Sequence, residues 1–475
     1  MSCRPFSAFP RTALQTLLLA WIGLAASIQA APHPGALESA AASAAETAPA
    51  GAPADPSPYA RYEGSLGELE RRLLADAADR RWDNHTLLAA ALIAGGVEGQ
   101  KQLEHCVSRF NALADEAAKL AAKQTDPEIR AQQIFDFMHR KILVGGYRLE
   151  STDLAATLDN GRFNCVSSTV LFNCLALRFG LEPVALELPG HAMTRLRLGG
   201  ASLDVETTCP GWFQLRHDPR RQAALVAKTL GAGYSNSRAG REVSPVELIA
   251  MIYYNRGVDL LSEQRFAEAA AANAKALRLD PTSKTARGNL LATLNNWAIT
   301  VGAKHQYEEA IRLLTQGLEL DRHYETFTAN YIHLHYQWAD RLASGNDFDK
   351  ALEILRQADA ELLGADRLAQ LRLDVYRRWA RRLFQLGRSE QALQLLRAAE
   401  LECQPAGEIL RQVEVQTLAD WAASLARQNR YSEAVSLLDW GLARQPDSEL
   451  LNHRRRTALG GWTAEVSGVV QATAD

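Results

Sequence analysis

The feature that most constrains this chain is a repeat. A small residue follows acidic or polar neighbours at Ala269 in FAEAA, Ala310 in YEEAI, Ala351 in FDKAL, Ala392 in SEQAL and Ala434 in YSEAV, at successive spacings of 41, 41, 41 and 42 residues. A second register agrees with the first. Trp297-Ala298, Trp338-Ala339, Trp379-Ala380 and Trp421-Ala422 each begin 13 residues before an anchor. Two independent registers with one period predict a stack of equivalent units, each with an apolar face that only its neighbour covers. The apolar residues recur at helical spacing, so the stack should be a helical solenoid. Small residues belong where two helices cross and their backbones approach. The tryptophans read as packing residues beside those crossings, not as ligands.

The first unit, YYNRGVDLLSEQRFAEAAAANAKALRLDP, resembles a tetratricopeptide repeat, with Gly257, Phe266, Ala269, Ala276 and Pro281 in the family's places. The period exceeds the family's usual ~34 residues. The excess of about seven residues is two helical turns, so lengthened helices are expected. HEAT-like repeats share the longer period but not this residue pattern. The array is expected over residues 245–447, as about five repeats, with a capping helix and tail over 448–475. The Arg454-Arg455-Arg456 run reads as a solvated face of that cap. The resemblance implies a protein or peptide partner on the inner face of each repeat's first helix. In the family register that face includes His333, Tyr336, Arg377 and Arg381. Aromatic and basic residues there suit an acidic or mixed peptide. Tyr254 shares the register but reads as a packing residue. His333 and His335 are two apart on a helix and diverge, so they make a poor metal pair.

The 475-residue chain has a formal net charge of -3, which argues against a nucleic-acid partner recruited by bulk charge. Residues 1–30 read as a secretory signal peptide. Arg4 and Arg11 precede an apolar run from Leu17 to Ala26, and small residues follow at Ser27 and Ala30. The run is short for a bilayer span, with an uncleaved anchor as the alternative. Export to the periplasm or outside the cell is therefore expected, with no transmembrane span once the signal is removed. Residues 31–60, rich in Ala, Pro, Ser and Gly, read as a flexible spacer. Residues 61–244 read as an α+β domain. Helical patterns run from about Tyr62 to a break at Gly145-Gly146. A helix in NCVSSTVLFNCLALRFGL then precedes strand-like alternation at Val184, Leu186 and Leu188, at Met193, Arg195 and Arg197, and at Leu203 and Val205.

Six cysteines occur, and Cys3 leaves with the signal. The remaining five, Cys106, Cys165, Cys174, Cys209 and Cys403, are scattered and odd in number. They form no disulfide framework, and one of them is expected as a free reactive thiol. Cys165 stands out because it opens a predicted helix. Unsatisfied N–H groups and the positive dipole end of that helix favour a thiolate and could hold an oxyanion. Asn164 could donate to the same oxyanion or cap the helix. His191, after Pro189-Gly190 at a strand start, could act as general base and acid. Glu206, on the next strand, could orient the imidazole. Cys174, nine residues after Cys165, falls on the opposite helix face and reads as core. Cys209 lies near Glu206 in sequence. Gly161 reads as a turn residue, and Arg195 and Arg197 as a solvated strand face. No phosphate loop, metal-ligand spacing or cofactor motif is found.

The segment from Ile134 to Phe213 resembles the transglutaminase-like superfamily, in its bacterial branch with GHA after a proline. The order Cys, His, acid is the family's order. ETT stands where the family has Asp-Pro-Thr, so Glu206 replaces the usual Asp, with Asp204 as the reserve acid. The resemblance implies a papain-like α+β fold. It also implies a cysteine-dependent amide hydrolase or acyl transferase, served by the array as a dock. The alternative is a non-catalytic scaffold with a vestigial domain of that type.

Overall fold

The computed structural model describes residues 57–121, 123–230, 240–361, 368–402 and 407–472. The expected signal peptide, the spacer up to residue 56, Cys3 and Cys403 lie outside the described residues. Helices α1 (Glu68–Asp76), α2 (Leu87–Gly95), α3 (Gln100–Ala121) and α4 (Pro127–Phe137) come first. Helix α2 is apolar nearly all round, so it must be central. Leu87, Leu88 and the whole run Ala90–Ala94 are buried. Helix α4 starts where Asp126 caps it and Pro127 presets its first turn. It continues into a π turn over Met138–Ile142.

Strand β1 (Gly146–Tyr147), helix α5 (Leu154–Asn160) and strand β2 (Arg162–Phe163) follow, with β1 and β2 paired in parallel. Gly161 ends α5 with φ 71°, and a Cβ there would stand 2.6 Å from the Ile142 carbonyl oxygen. Only glycine combines that backbone with that approach. Helix α6 (Cys165–Arg178) then packs on β3 (Glu182–Leu188) and β4 (His191–Leu198). Strand β5 (Ala201–Val205), helix α7 (Pro219–Leu230) and strand β6 (Arg241–Val243) complete this part.

The larger sheet is antiparallel, in the order β5-β4-β3-β6. The β3–β4 hairpin turns through Pro189-Gly190, which sets Leu188 opposite His191. The β4–β5 hairpin turns through Gly199-Gly200, both at positive φ, as a tight two-residue loop needs. The segment expected as α+β is thus mostly helical, with one small four-stranded sheet and a two-residue strand pair.

From Pro245 the described chain is all helix. Five helix pairs follow: α8 (Pro245–Ser262) with α9 (Phe266–Leu279), α10 (Lys284–Ala303) with α11 (Tyr307–Leu320), α12 (Glu325–Ser344) with α13 (Phe348–Glu361), α14 (Ala369–Gln385) with α15 (Ser389–Glu402), and α16 (Gly407–Arg427) with α17 (Tyr431–Arg444). Helix α18 (Glu449–Ala472) packs on α16 and α17 as the cap. Every second helix has 14 residues, whereas first helices such as α10 and α12 have 20. The second helices are thus uniform, and the first helices, at 17 to 21 residues, are the longer ones.

The small residues sit at crossings. A Cβ on Gly257 would stand 2.4 Å from the Asn273 side chain. The tryptophans are packing residues, as their periodicity implies. Phe266 stacks on Trp297, Tyr307 on Trp338 and Phe348 on Trp379, with interplanar angles of 10°, 15° and 10°. One buried cluster runs from Leu69 in α1 to Ala399 in α15, so the first repeats share a core with the described helices and strands before them.

Candidate functional site

Asn164 ends strand β2 and caps helix α6. Its Oδ1 accepts from the Val166 and Ser167 amides, both at 3.0 Å, while Ser167 Oγ accepts from the Asn164 amide at 2.9 Å. Its Nδ2 donates to the Leu149 carbonyl at 2.9 Å and to Thr152 Oγ1 at 2.6 Å. The whole carboxamide is thereby committed, so Asn164 is the cap and not an oxyanion donor. The accounting leaves one first-turn donor. The Ser168 amide bonds the Asn164 carbonyl, and the amide of Cys165, beside its own sulfur, has no partner among the described residues. That N–H is the one placed to meet an oxyanion.

The structure brings Cys165, His191 and Glu206 together. His191 Nε2 lies 2.7 Å from Glu206 Oε2, and the imidazole is close enough to Cys165 for the sulfur to favour its charged form. Because Nε2 is held by the carboxylate, Nδ1 is the ring nitrogen left for sulfur. Burial opposes charge on this ring, but its interactions with Cys165 and Glu206 outweigh it and hold its pKa up at about 10. The ring is therefore an imidazolium at neutral pH, beside a thiol at a helix N-terminus. Burial pushes the Cys174 thiol well up, the Cys209 thiol up to about 11 and the Cys106 thiol upward. Those three stay protonated at neutral pH and are poor nucleophiles. All four described cysteines are free.

Glu206 is held on both oxygens. Its Oε1 accepts from the Thr208 amide at 3.1 Å and from Thr208 Oγ1 at 2.6 Å. The neighbouring Thr207 hydroxyl lies 3.0 Å from both Ser168 Oγ and Thr169 Oγ1, which ties the acid's turn to the helix that Cys165 opens. His139, on the π turn, lies against the Thr207 backbone, and its ring is tilted against that of Phe135 with centroids 4.6 Å apart. Burial depresses its pKa to about 4. Sequence reasoning missed Thr207, Thr208 and His139. The hydroxyl pair Thr207-Thr208 after Glu206 hinted at the first two, and nothing in the sequence signalled His139.

Asp204 is held in an ion pair. It sits opposite Arg195 in the β4–β5 register, and Arg195 binds it at 2.7 and 3.0 Å. Glu206 lies beyond the end of β5, so the alternation that would have put both acids on one face stops before it. Arg195 and Arg197 also bind Glu242, at 3.0 and 2.8 Å, and are structural ion-pair residues rather than a merely solvated face. Of the array positions, Tyr254 is buried as expected. His333, Tyr336, Arg377 and Arg381 are exposed on α12 and α14. His333 Nε2 contacts Gln337 at 3.0 Å, whereas His335 is buried against the Tyr331 carbonyl, so the two imidazoles do diverge. Among the described residues no cluster of His, Cys, Asp or Glu could hold a metal, and no helix is long and apolar enough to cross a membrane.

The five helix pairs, their shared register and their stacked aromatics define a tetratricopeptide-like helical-repeat protein. Two solved structures similar to the chain are of that class. One is the TPR protein YrrB, described as having an unusual peptide-binding site, at 20% identity over 44% of this chain and 92% of that one, with a TM-score of 0.15. The other is the TPR domain of P58(IPK), at 12% identity over 84% of this chain and 95% of that one, with a TM-score of 0.18. No family model matches the chain. No curated protein matches it either.

Proposed function

We propose that this protein binds a protein or peptide segment on its helical array and acts on an amide of the bound chain through Cys165. The observation that carries the catalytic half is the buried Cys165–His191–Glu206 arrangement at a helix start. The binding half is supported by the exposed His333, Tyr336, Arg377 and Arg381 on first helices of the repeats. In the proposed reaction the Cys165 sulfur adds to the amide carbonyl carbon, and the developing oxyanion meets the Cys165 N–H. The C–N bond breaks as His191 delivers its proton to the leaving nitrogen, which leaves a thioester on Cys165. Water or an amine then gives its proton to His191 and displaces the sulfur. Glu206 keeps the imidazole oriented throughout. The chemistry is that of the transglutaminase-like superfamily which Ile134–Phe213 resembles. Export is part of this proposal and is supported by the Arg4–Ala30 pattern.

A second reading is a binding scaffold without chemistry. The burial of the triad favours it: Cys165, His191 and Glu206 are only 9%, 8% and 3% exposed, which leaves little room for substrate. Iodoacetamide at limiting concentration separates the two readings. Selective alkylation of Cys165 that His191→Ala suppresses at least tenfold supports the thiol reading. Equal labelling of all cysteines, or a rate indifferent to His191, leaves the scaffold.

A further inference from the structure

Each arm of the triad needs something to hold it. Helix α8 serves two of them. Asn255 donates to Thr152 Oγ1 at 3.3 Å, and that hydroxyl accepts from Asn164, the cap of the Cys165 helix. Tyr254 donates to Glu187 Oε1 at 3.4 Å, on the strand that pairs with His191, and lies within electrostatic reach of Cys165. The array's first helix thus walls the cysteine and braces the histidine strand. The acid arm is held differently, by the turn over 206–208.

Glu206 lies past the end of β5, so no strand ladder fixes it. Thr208 fills its Oε1, and the Thr207 hydroxyl ties the turn to α6. Thr207 is 0% exposed, yet among the described residues no backbone N–H donates to its carbonyl. A buried carbonyl without a donor is costly. The His139 imidazole is the group that lies against it. Burial keeps this ring neutral at neutral pH, so it has one N–H to give. Its Nε2 is buried and meets no other partner among the described residues.

The ring is also aimed. It sits in the π turn Met138–Ile142, a local widening of the helix of the kind that re-aims side chains at functional sites. It lies between Phe135 and Phe163, and the Phe163 ring is edge-on to it with centroids 6.1 Å apart. Phe163 ends β2 and directly precedes Asn164 and Cys165. Phe135 in turn meets Phe172 of α6 and Phe213. The imidazole is therefore clamped between the strand that leads into the cysteine and the turn that carries the acid.

We infer that His139 is a positioning residue for the acid: its ring N–H, given to the Thr207 carbonyl, fixes the turn over 206–208 and so the direction from which Glu206 meets His191. Its bearing on chemistry rests on the thiol reading, whereas its bearing on His191 does not.

A ring that only packed could be replaced by phenylalanine, which keeps the aromatic contacts and loses the donor. The test uses the full chain with isotope-labelled histidine, read by NMR. In the wild type His139 should show one slowly exchanging ring N–H and stay neutral down to about pH 5. In His139→Phe the His191 titration should fall from about 10 by at least about one pH unit. Alkylation of Cys165 by iodoacetamide should slow about tenfold in the same variant. His139→Asn and His139→Gln restore a side-chain N–H near one or the other ring nitrogen, and at least one of them should return both readouts close to wild type. No slowly exchanging ring N–H in the wild type, an unmoved His191 titration in His139→Phe, or equal losses in all three variants overturns the inference. If His139→Phe leaves the His191 titration unmoved while alkylation still depends on His191, the positioning role falls and the thiol reading stands. If alkylation is indifferent to His191 while His139→Phe moves its titration, the thiol reading fails and the positioning role stands.

Discussion

At the scale of single residues, the site is built on one charge balance. Glu206 and Cys165 together raise the His191 pKa to about 10 against the penalty of burial. Replacing Glu206 with Gln removes the negative partner, so the His191 pKa should fall toward its ordinary value of about 6.5. A pKa raised by folding contributes stability that is full below about pH 6.5 and is lost as pH rises through about 10. The unfolding free energy of wild type minus that of Glu206→Gln should therefore be largest near pH 6. It should shrink by on the order of 1–2 kcal/mol by about pH 10 to 11, as read by urea denaturation. A difference that grows with pH would sink this account. Much of the triad was legible, because a cysteine after a capping Asn, a histidine after Pro-Gly and an acid past the next strand leave a readable order. The choice between Asp204 and Glu206 was not settled by sequence. Both fit an alternating strand, and only the strand's end at Val205 and the Arg195 pair separate them.

At the scale of elements, each repeat contains a device that the two sequence registers did not reveal. The residue two places after each first helix is left-handed at equivalent positions: Gln264, His305, Asn346, Gly387 and Asn429, with φ between 59° and 75°. Four of the five are not glycine, and a left-handed non-glycine costs about 1 kcal/mol. Gln264 is exposed, so Gln264→Gly should stabilise the protein by about 0.5–1 kcal/mol, seen as a higher urea midpoint at unchanged m. The composition at this position varies too much to be read as a register. The tryptophan register was legible because stacking demands one residue type at one place. The lengthening was legible only as a sum. Its place in the first helices depended on where each chain reversal falls.

At the scale of the whole molecule, the first repeat belongs as much to the thiol site as to the array. Helix α8 buries Val246, Leu248, Ile249, Met251 and Ile252. Tyr253 donates to Glu70, Lys275 pairs with Glu70 at 2.8 Å, and Arg278 pairs with Glu63 at 2.9 Å. A fragment of residues 57–244 would expose the faces that α8 covers on α2, α6 and β3. It should fail to show a cooperative thermal transition by circular dichroism. A fragment of residues 57–282, which retains the first repeat, should show one. Cooperative unfolding of the shorter fragment would mean that the shared core contributes little.

The sequence by itself determined the repeat, its period, the helix that Cys165 opens and the order of the three candidate residues. Those follow from local periodicity, capping and turn chemistry, which act between residues close along the chain. The tertiary structure alone decided that Glu206 rather than Asp204 meets His191, that Asn164 is spent as a cap, and that Thr207 and His139 stand behind the acid. It also decided that the array's first helix walls the cysteine. Those outcomes depend on where strands end and on contacts between residues as far apart as Tyr253 and Glu70. Such contacts form only when the buried faces of all the elements are satisfied at once.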